Sequence, residues 1–199
     1  MDWDSRYAAA SGGLFGDDPN LWLTMALGRP DVAPRSMLLP ADGDGRNGTW
    51  VARRGVAVTG LDLSGEATRR AMARDAAAGV TAERIAADLM HWSHEAGRTW
   101  ESAAILFLHG PETLRARALS VAAAALAPGG WLILEGFATA QADGEMGPRD
   151  ADRLYEADWL AAAVPGLVIH DLLTGRAMLD EGPLHRGEAQ VVRLLARKP

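Results

Sequence analysis

The chain contains no cysteine and only one lysine, Lys198, among its 199 residues. The lack of cysteine excludes disulfides, thiolate metal sites, iron–sulfur clusters and a cysteine nucleophile. No apolar run approaches the roughly 20 residues that a membrane-spanning helix needs, and the first residues lack the basic and apolar regions of a secretory signal. A formal net charge of −6 argues against nucleic acid or an anionic membrane as the main partner. We expect a cytoplasmic monomer or homodimer that binds a small molecule.

Strand-like and helix-like segments alternate from residue 36 onward. Near-continuous apolar strands separated by helices are typical of a parallel sheet covered on both faces. We predict five such strands at residues 36–40, 56–62, 83–88, 103–109 and 131–137. Helices are predicted between Arg46 and Gly55, between the cap Ser64 and Gly79, and at 112–127, before a Pro-Gly-Gly break.

The composition changes after residue 140. A loop rich in Gly and Asp leads into a predicted helix at 150–163, and two strands follow at 167–178 and 188–196, close enough in sequence to pair antiparallel. The sequence therefore predicts an α/β, Rossmann-like fold: a seven-stranded, mostly parallel sheet with one antiparallel strand and helices on both faces. We expect a single domain, 1–199, in which residues 1–34 form an N-terminal clasp on a core at 35–199.

A glycine-rich turn follows the first strand, where Gly43, Gly45 and Gly48 spell the dinucleotide fingerprint G-x-G-x-x-G. The pattern alone is weak evidence, because a chain with 22 glycines produces it by chance. A glycine turn lets the backbone approach a ligand closely, and the following helix directs N–H groups to the same place. A pyrophosphate or the carboxylate of an amino-acid moiety would be satisfied there.

Two acids follow the next strands on the same edge of the sheet. Asp62 ends the second strand, where a carboxylate accepts the hydroxyls of a ribose in nucleotide-binding α/β folds. Asp88 follows the third strand and, with Leu89, is placed to approach an adenine amino group. These positions predict an adenosine across the carboxyl edge of the sheet, at the switch point between strands one and four. Alternatively, both acids only cap the helices or turns that follow.

Several motifs, in order along nearly the whole chain, carry a resemblance to a known family. They are WDSRYA, ADGDGRNGTWVARRG with VTGLDLS, FLHGPETLR, LAPGGWLILEGFATAQ with MGP, and EGPLHRGEAQVVRLLARKP. The chain resembles class I S-adenosylmethionine-dependent methyltransferases, and among them the tellurite-resistance (TehB-like) subgroup. The resemblance implies S-adenosylmethionine as the cofactor instead of NAD, and methyl transfer to a small molecule. That acceptor would be a chalcogen oxyanion such as tellurite or selenite, or a small soft nucleophile.

The resemblance also implies site residues by position. The cofactor would be held by Asp42, Gly43, Gly45, Arg46, Asn47, Asp62, Leu63, Asp88, Leu89 and Leu108. Three residues are implied in catalysis. His185 and Arg186, between the last two strands, would handle the substrate, with Arg186 suited to an oxyanion and His185 to proton removal or hydrogen bonding. His109 ends the fourth strand on the ligand edge. No metal is expected.

The chain departs from the family pattern in the first turn. The family usually places an acid near the end of strand one and then a glycine, where this sequence has Leu39 and Ala41, with Pro40 between them. The methionine half of the cofactor would then need another partner. Arg46, as a bidentate carboxylate binder, is preferred over the two acids of the turn.

Each histidine position has a simpler explanation beside the functional one. His109 could only cap the strand end against a backbone carbonyl, and His185 with Arg186 could belong to a surface turn. His91 and His94 lie three residues apart, but without a third ligand nearby we interpret them as loop residues.

The aromatic and amide positions near the ligand edge are similarly open. Trp3 and Tyr7 lie in a segment that resembles a lid over the cofactor, and Phe15 and Asn20 follow as candidates to line the methyl-transfer cavity. The alternative is a hydrophobic clasp on the sheet edge. Two residues past strand five are candidates to shape the acceptor pocket, namely Phe137 and Gln141.

Three functions follow from these patterns. The first is a small-molecule methyltransferase. The second, a nicotinamide-dependent oxidoreductase, is disfavoured because the only lysine lies at the C-terminus, so that no Tyr-x-x-x-Lys pair exists. The third is a module that binds the cofactor or its demethylated product without turnover, which the altered first turn keeps open.

Overall fold

A computed structural model describes residues 2–199. The helices are α1 (Trp3–Ala9), α2 (Leu21–Leu27), α3 (Arg46–Ala52), α4 (Gly65–Ala78), α5 (Glu112–Ala125) and α6 (Ala157–Ala162), with short 3-10 turns at Thr139–Gln141 and Ala151–Arg153. The strands are β1 (Ser36–Pro40), β2 (Ala57–Asp62), β3 (Glu83–Ala86), β4 (Trp100–Leu106), β5 (Leu126–Phe137), β6 (Val168–Gly182) and β7 (His185–Arg197).

The strands form one seven-stranded sheet in the order β3-β2-β1-β4-β5-β7-β6. Strands β1 to β5 are parallel to one another, and β7 is antiparallel to both of its neighbours, β5 and β6. The predicted α/β fold with a single reversed strand is confirmed. Because β1 and β4 are adjacent while the chain leaves them in opposite directions, the carboxyl edge of the sheet opens a crevice between them, where ligands bind in such folds.

Two apolar clusters cover the two faces of this sheet. One joins α5 and α6 to residues such as Leu38, Ile105 and Leu134, and the other joins α2 and α3 to Leu39 and Ile133. Leu38 and Leu39 are neighbours in β1 and both are buried, on opposite faces. Because both faces of the sheet are covered, the central strands have apolar residues at successive positions and do not alternate between apolar and polar residues.

Local capping rules account for the helix boundaries around the ligand edge. Ser64 accepts a hydrogen bond from the backbone N–H of Ala67 at 3.0 Å, and the chain leaves α4 through Gly79 in the left-handed conformation. Asn20 caps α2 by accepting from the N–H of Leu23 at 2.9 Å. The predicted start and end of α4 are therefore confirmed.

Other predicted boundaries are wrong. The fourth strand is shifted towards the N-terminus: it occupies Trp100–Leu106 instead of 103–109, because Phe107 adopts a left-handed φ of 53° that ends the strand. The predicted helix at 150–163 divides into a 3-10 turn and α6. Helix α5 ends at Ala125, before the Pro-Gly-Gly sequence, since residues from Leu126 onward already belong to β5.

Candidate active site

A cavity of about 410 Å³ lies at the carboxyl edge of the sheet, at the crevice between β1 and β4. This volume is in the range of roughly 300–1,000 Å³ that is usual for small-molecule sites. Most predicted site residues border it: Asp42, Gly43, Arg46, Asn47, Asp62, Leu63, Asp88, Leu89, Leu108, His109 and His185. The N-terminal segment contributes Trp3, Tyr7 and Phe15. Gly45 and Arg186 do not border the cavity.

The turn after β1 has an unusual backbone. Ala41, which stands where the resemblance expects glycine, adopts a left-handed φ of 58°. Gly43 follows with a φ of 59°, and a side chain there would come within 2.5 Å of the Tyr7 hydroxyl oxygen. The turn thus keeps the glycine-type conformation at Ala41 without the glycine, and it leaves space at Gly43 for the N-terminal segment.

The other two glycines of the fingerprint serve internal packing. A Cβ at Gly45 would lie 2.7 Å from the Cβ of Ala71 on α4, so this glycine permits close helix packing and does not reach the cavity. A Cβ at Gly48 would collide with the Asp42 carboxylate and lie 2.7 Å from Nη1 of Arg84. These two glycines therefore allow close packing inside the protein, and they do not give a ligand access to the backbone.

Asp42 forms a buried ion pair with Arg84 of β3, which also binds Asp75 of α4 at 2.8 Å. Asp42 further accepts a hydrogen bond from the N–H of Gly48 at 3.2 Å. Burial raises the pKa of Asp42 to about 6, although the Arg84 guanidinium opposes the rise. The carboxylate of Asp42 thus ties the turn to β3, and its role as a cofactor contact at the cavity that it borders stays a prediction.

Asp62 ends β2 and holds two backbone groups. Oδ2 accepts from the N–H of Gly43 and Oδ1 from the N–H of Ser64, each at 2.9 Å. Burial raises the pKa of Asp62, and the two backbone hydrogen bonds oppose that rise. Each carboxylate oxygen accepts more than one hydrogen bond, so Asp62 retains acceptor capacity towards the cavity that it borders.

Asp88 follows β3 in an exposed turn. Its Oδ1 accepts from the N–H of Met90 at 2.9 Å, and its backbone oxygen accepts from the N–H groups of His91 and Trp92. This is the capping role that the sequence left as an alternative. Asp88 and the buried Leu89 nevertheless both border the cavity.

The N-terminal segment covers the cavity and is fastened to α4. Asp4 accepts from the Ser64 hydroxyl at 2.5 Å and from the N–H of Glu66 at 3.1 Å. Arg70 donates to the carbonyl oxygens of Ala10 and Gly12 at 2.6 and 3.0 Å. The segment thus lies over the Asp62 side of the cavity.

The opposite end of the cavity is aromatic. The ring of His185 lies 4.2 Å from that of Phe107 and 5.0 Å from that of Phe15, measured between centroids, and all three border the cavity. Phe137 packs behind them, with its centroid 4.9 Å from that of Phe107, and does not border the cavity. Gln141 is also displaced from the cavity, because its amide oxygen accepts from the N–H of Gln190 at 2.6 Å.

Both ring nitrogens of His109 are hydrogen-bonded within the protein. Nε2 accepts from the N–H of Phe137 at 3.2 Å, and Nδ1 lies 2.9 Å from the carbonyl oxygen of Arg153, to which it donates. Burial lowers the pKa of His109 to about 4. Both ring nitrogens join the ends of β4 and β5 to the Arg153 turn, and the catalytic role of His109 stays a prediction that these contacts do not support.

Both predicted arginines are paired with acids of the protein. Arg46 is buried, with Nη2 2.7 Å from Oε2 of Glu181 and Nη1 2.6 Å from the carbonyl oxygen of Asp18. Arg186 is exposed and its Nε donates to Asp180 at 3.1 Å, away from the cavity. The structure therefore places His185 in the cavity wall and its neighbour Arg186 outside it, as expected for successive residues of a strand.

A buried polar network behind the aromatic end was not predicted. The Asn20 side-chain amide donates to Glu135 at 2.5 Å and to Glu181 at 3.0 Å, and its backbone N–H donates to Asn47 at 2.8 Å. Arg193 pairs with Glu135 at 2.6 Å. Asn20 therefore does not line the cavity as expected but joins α2, β5 and β6. Glu135, an acid within the apolar sequence of β5, was the one feature of the sequence that indicated this network.

Within residues 2–199, no group of three or more His, Asp or Glu side chains has the arrangement of a metal site. In the same range no helix combines the length and apolarity needed to cross a membrane.

Comparison with known proteins shows what this chain is similar to. Residues 40–130, from the last residue of β1 to the first part of β5, match the family model described as a methyltransferase domain. No match to the sequence was found among curated proteins.

Solved structures match over nearly the whole chain. The N-methyltransferase NodS from Bradyrhizobium japonicum WM9, in complex with S-adenosyl-L-homocysteine, is 17% identical with a TM-score of 0.74, covering 98% of this chain and 96% of that one. TehB from Haemophilus influenzae is 12% identical with a TM-score of 0.71, covering 89% of this chain and 61% of that one. The [4+2]-cyclase SpnF is 16% identical with a TM-score of 0.70, covering 98% and 90%.

At these identities the structural matches show the fold alone, and the fold is that of class I methyltransferases. Together with the domain match, they confirm the resemblance to class I S-adenosylmethionine-dependent methyltransferases that the sequence motifs carried.

Proposed function

We propose, from the premise that this chain carries a methyltransferase domain in the class I methyltransferase fold, that it transfers a methyl group from S-adenosylmethionine to a small, soft nucleophile. The observation that carries the proposal is the composition of the cavity wall. One end has carboxylates and Leu side chains, around Asp62 and Leu89, beneath Trp3 and Tyr7, and the other has the clustered rings of Phe15, Phe107 and His185.

The residues at the first end fit an adenosine. Asp62 retains acceptor capacity for ribose hydroxyls, and Leu63, Leu89 and Leu108 provide apolar surface for a base. Asp88 borders the same region. We propose that these residues, with the backbone at Gly43 and the side chain of Asn47, hold the cofactor. The complex of NodS with S-adenosyl-L-homocysteine supports this assignment by fold.

The electrostatics of the turn suit a cationic ligand. Asp42 and Asp44 are neutralised by Arg84 and Arg74 respectively, whereas Asp62 has no cationic partner among residues 2–199. S-adenosylmethionine supplies a methyl group on a positively charged sulfur. The chain's contribution is alignment and exclusion of water, for which Trp3 and Tyr7 cover the cavity.

The acceptor end favours a soft nucleophile over a chalcogen oxyanion. An oxyanion such as tellurite or selenite would need a cation in the cavity wall. The predicted one, Arg186, points to Asp180 outside the cavity, and Arg46 is already paired with Glu181. The aromatic surface of Phe15 and Phe107 instead suits an apolar, polarisable acceptor.

A second candidate function is cofactor binding without turnover. It is favoured by the first turn, where the family's acid and glycine are replaced by Leu39 and Ala41. A nicotinamide-dependent oxidoreductase is disfavoured further, because the only lysine, Lys198, donates to carbonyl oxygens at the end of α5 and to that of Leu126, the first residue of β5, at 2.7 Å. We further propose a cytoplasmic monomer or homodimer. The net charge of −6 supports the proposal that neither nucleic acid nor an anionic membrane is its main partner.

Isothermal titration with S-adenosylmethionine, S-adenosylhomocysteine and NADH tests the cofactor. We expect micromolar binding of the first two and none of NADH. In Asp62→Ala the affinity should fall by roughly 10- to 100-fold, as for the loss of hydrogen bonds to a charged group. Asp180→Ala, an exposed acid outside the cavity, is the control and should bind normally. Binding of NADH alone would contradict the proposal.

Transfer is then measured with a radiolabelled methyl group and a panel of thiols, phenols, selenite and tellurite. Methylation of any of these acceptors establishes an enzyme. Tight cofactor binding with no transfer to the panel favours the binding module, and transfer to the oxyanions alone contradicts the soft-nucleophile acceptor.

A further inference from the structure

Glu181 and His185 face each other across the turn between β6 and β7. Nδ1 of His185 lies 3.7 Å from Oε2 of Glu181, and the two side chains are only 5% and 4% exposed respectively. Nδ1 is buried and has no hydrogen-bond partner among residues 2–199. A buried polar atom without a partner is costly, and Glu181 is the acceptor within closest reach.

The Glu181 carboxylate is held in place from three sides. Oε1 accepts from the Asn20 amide at 3.0 Å and from the N–H of Leu21 at 3.1 Å, and Oε2 accepts from Arg46 at 2.7 Å. Burial by itself would raise the pKa of Glu181, but His185 and Arg46 outweigh it and lower that pKa. Glu181 is therefore an ionised and immobile partner for the imidazole.

Other charged and titratable groups around His185 are all engaged elsewhere. Glu135 and Arg193 pair with each other, and His109 has both ring nitrogens bonded. On β7 itself, Arg186 turns outward to Asp180. Glu181 is thus the one carboxylate within 4 Å of the His185 ring among residues 2–199.

The other face of His185 belongs to the cavity. Nδ1 is on the Glu181 side, so Nε2 is the nitrogen left for a bound molecule. Around it stand Phe15 and Phe107. The one arginine among residues 2–199 that borders the cavity, Arg46, is paired with Glu181, so a group that is anionic before it binds would find no unpaired counter-charge there.

We propose that Glu181 and His185 form a proton-accepting pair, and that the methyl acceptor is a neutral nucleophile that arrives with its proton, such as an apolar thiol or phenol. The proposal rests on the proposed methyl transfer. Glu181 is the positioning residue, since it holds the proton on Nδ1 and leaves the lone pair of Nε2 towards the acceptor.

The step balances without a further reactant. A lone pair of the acceptor atom forms the bond to the methyl carbon, and the electron pair of the broken carbon–sulfur bond stays on sulfur, which becomes neutral. The acceptor's proton moves to Nε2 of His185, and the imidazolium that results is stabilised by the Glu181 carboxylate. The proton then leaves to solvent when the products depart.

The first test needs no turnover. Nitrogen-15 chemical shifts of histidine side chains in the full chain, recorded without cofactor at neutral pH, report which ring nitrogen carries the proton. We expect the imidazole proton of His185 on Nδ1, and a loss of this preference in Glu181→Gln. His109, whose Nδ1 donates to Arg153, is an internal reference, and Asp180→Asn is the matched control. A proton on Nε2, or on both nitrogens, in the wild type overturns the pair.

The second test uses 2-phenylethanethiol and 4-ethylphenol as protic probes and selenite as a probe that is already anionic. Glu181→Gln and His185→Gln should each lower kcat for the protic probes by about 100-fold or more, as expected for loss of a general base. Cofactor affinity by titration should be unchanged, and raising the pH should recover part of the lost rate. If the wild type methylates selenite, neither substitution should change the rate of that reaction.

Methylation of neither protic probe by a chain that binds S-adenosylmethionine overturns the acceptor class. Equal loss of rate with selenite and with the thiol overturns the role of the pair as a base. Failure to bind S-adenosylmethionine overturns the proposed function instead, and the histidine spectra still decide whether the pair exists.

Discussion

Nε2 of His109 accepts a hydrogen bond from the backbone N–H of Phe137, at 3.2 Å. Nδ1 is also bonded, to the carbonyl oxygen of Arg153, so the imidazole connects the end of β5 to the turn at Arg153. The ring borders the cavity and yet has no free nitrogen to offer. Position at a ligand edge is thus insufficient to identify a catalytic histidine.

The first prediction concerns the pH dependence of stability. Burial lowers the pKa of His109 from 6.5 to about 4. Between these values the unfolded chain binds a proton that the folded chain does not, so the free energy of unfolding falls as pH is lowered through this window. His109 should account for a loss of about 2 kcal/mol between pH 7 and 4.5.

Urea unfolding of the wild type and His109→Asn at both pH values measures this loss. The variant should be less stable at pH 7 but should lose less on acidification. Asp42, Asp62 and Glu135, whose pKa values are raised by burial, act in the opposite direction and are present in both proteins. An equal loss in the two proteins would show that His109 is not the responsible group.

The second prediction compares two glycines at the starts of neighbouring helices. Gly48→Ala places a methyl group against Asp42 and Arg84 and should destabilise the fold by about 1–3 kcal/mol, as overpacking does. Gly65→Ala meets no atom within 4 Å and should be neutral or stabilising by up to about 1 kcal/mol. Thermal unfolding of both variants distinguishes packing from helix propensity; a similar melting temperature in the two would contradict the packing explanation.

The third prediction concerns the turn after β1. Ala41 holds a φ of 58°, which costs a residue with a Cβ about 1–2 kcal/mol. Ala41→Gly removes that cost but makes the unfolded chain more flexible, for a net gain of about 0.5–1 kcal/mol. The urea midpoint should rise. Ala10→Gly, at a position with a φ of −77°, is the control and should lower it.

The fourth prediction separates the two residues of the His-Arg pair. Arg186→Ala should leave cofactor affinity and the rate of methyl transfer unchanged, because this side chain contacts Asp180 and not the cavity. The same substitution at Arg46, which is buried against Glu181, should lower stability and the rate together. A selective loss of transfer to selenite in Arg186→Ala would restore the oxyanion acceptor.

The sequence was sufficient for the sheet and for the residues on one side of the cavity, the side that we propose for adenosine. Apolar strands, the cap at Ser64 and the acid at Asp62 are encoded locally, in patterns a few residues long. The misplaced end of β4 has a different cause. Phe107 continues an apolar run, and only the packed structure makes it turn away into the cavity.

The aromatic side of the cavity was much less predictable. Arg186 lies beside His185 in sequence, but strand alternation sends the two side chains to opposite sides, and the start of β7 was not predicted early enough to show this. Asn20 and Glu181 are 161 residues apart, and no local pattern relates them. Partner choice in buried networks depends on the completed fold.

The bridge from Asn20 to Glu135 and Glu181 joins parts of the chain made at widely separated times during synthesis. A nascent chain that ends before β6 has the glycine turn, Asp62 and most of the adenosine surface, but leaves Arg46 and Asn20 without Glu181. On a ribosome adding about 5–20 residues per second, we expect the cofactor end to take shape seconds before the acceptor end. Newly made chains would then pass through an interval in which they hold the surface that we propose for the methyl donor but not the pair that we propose receives the proton.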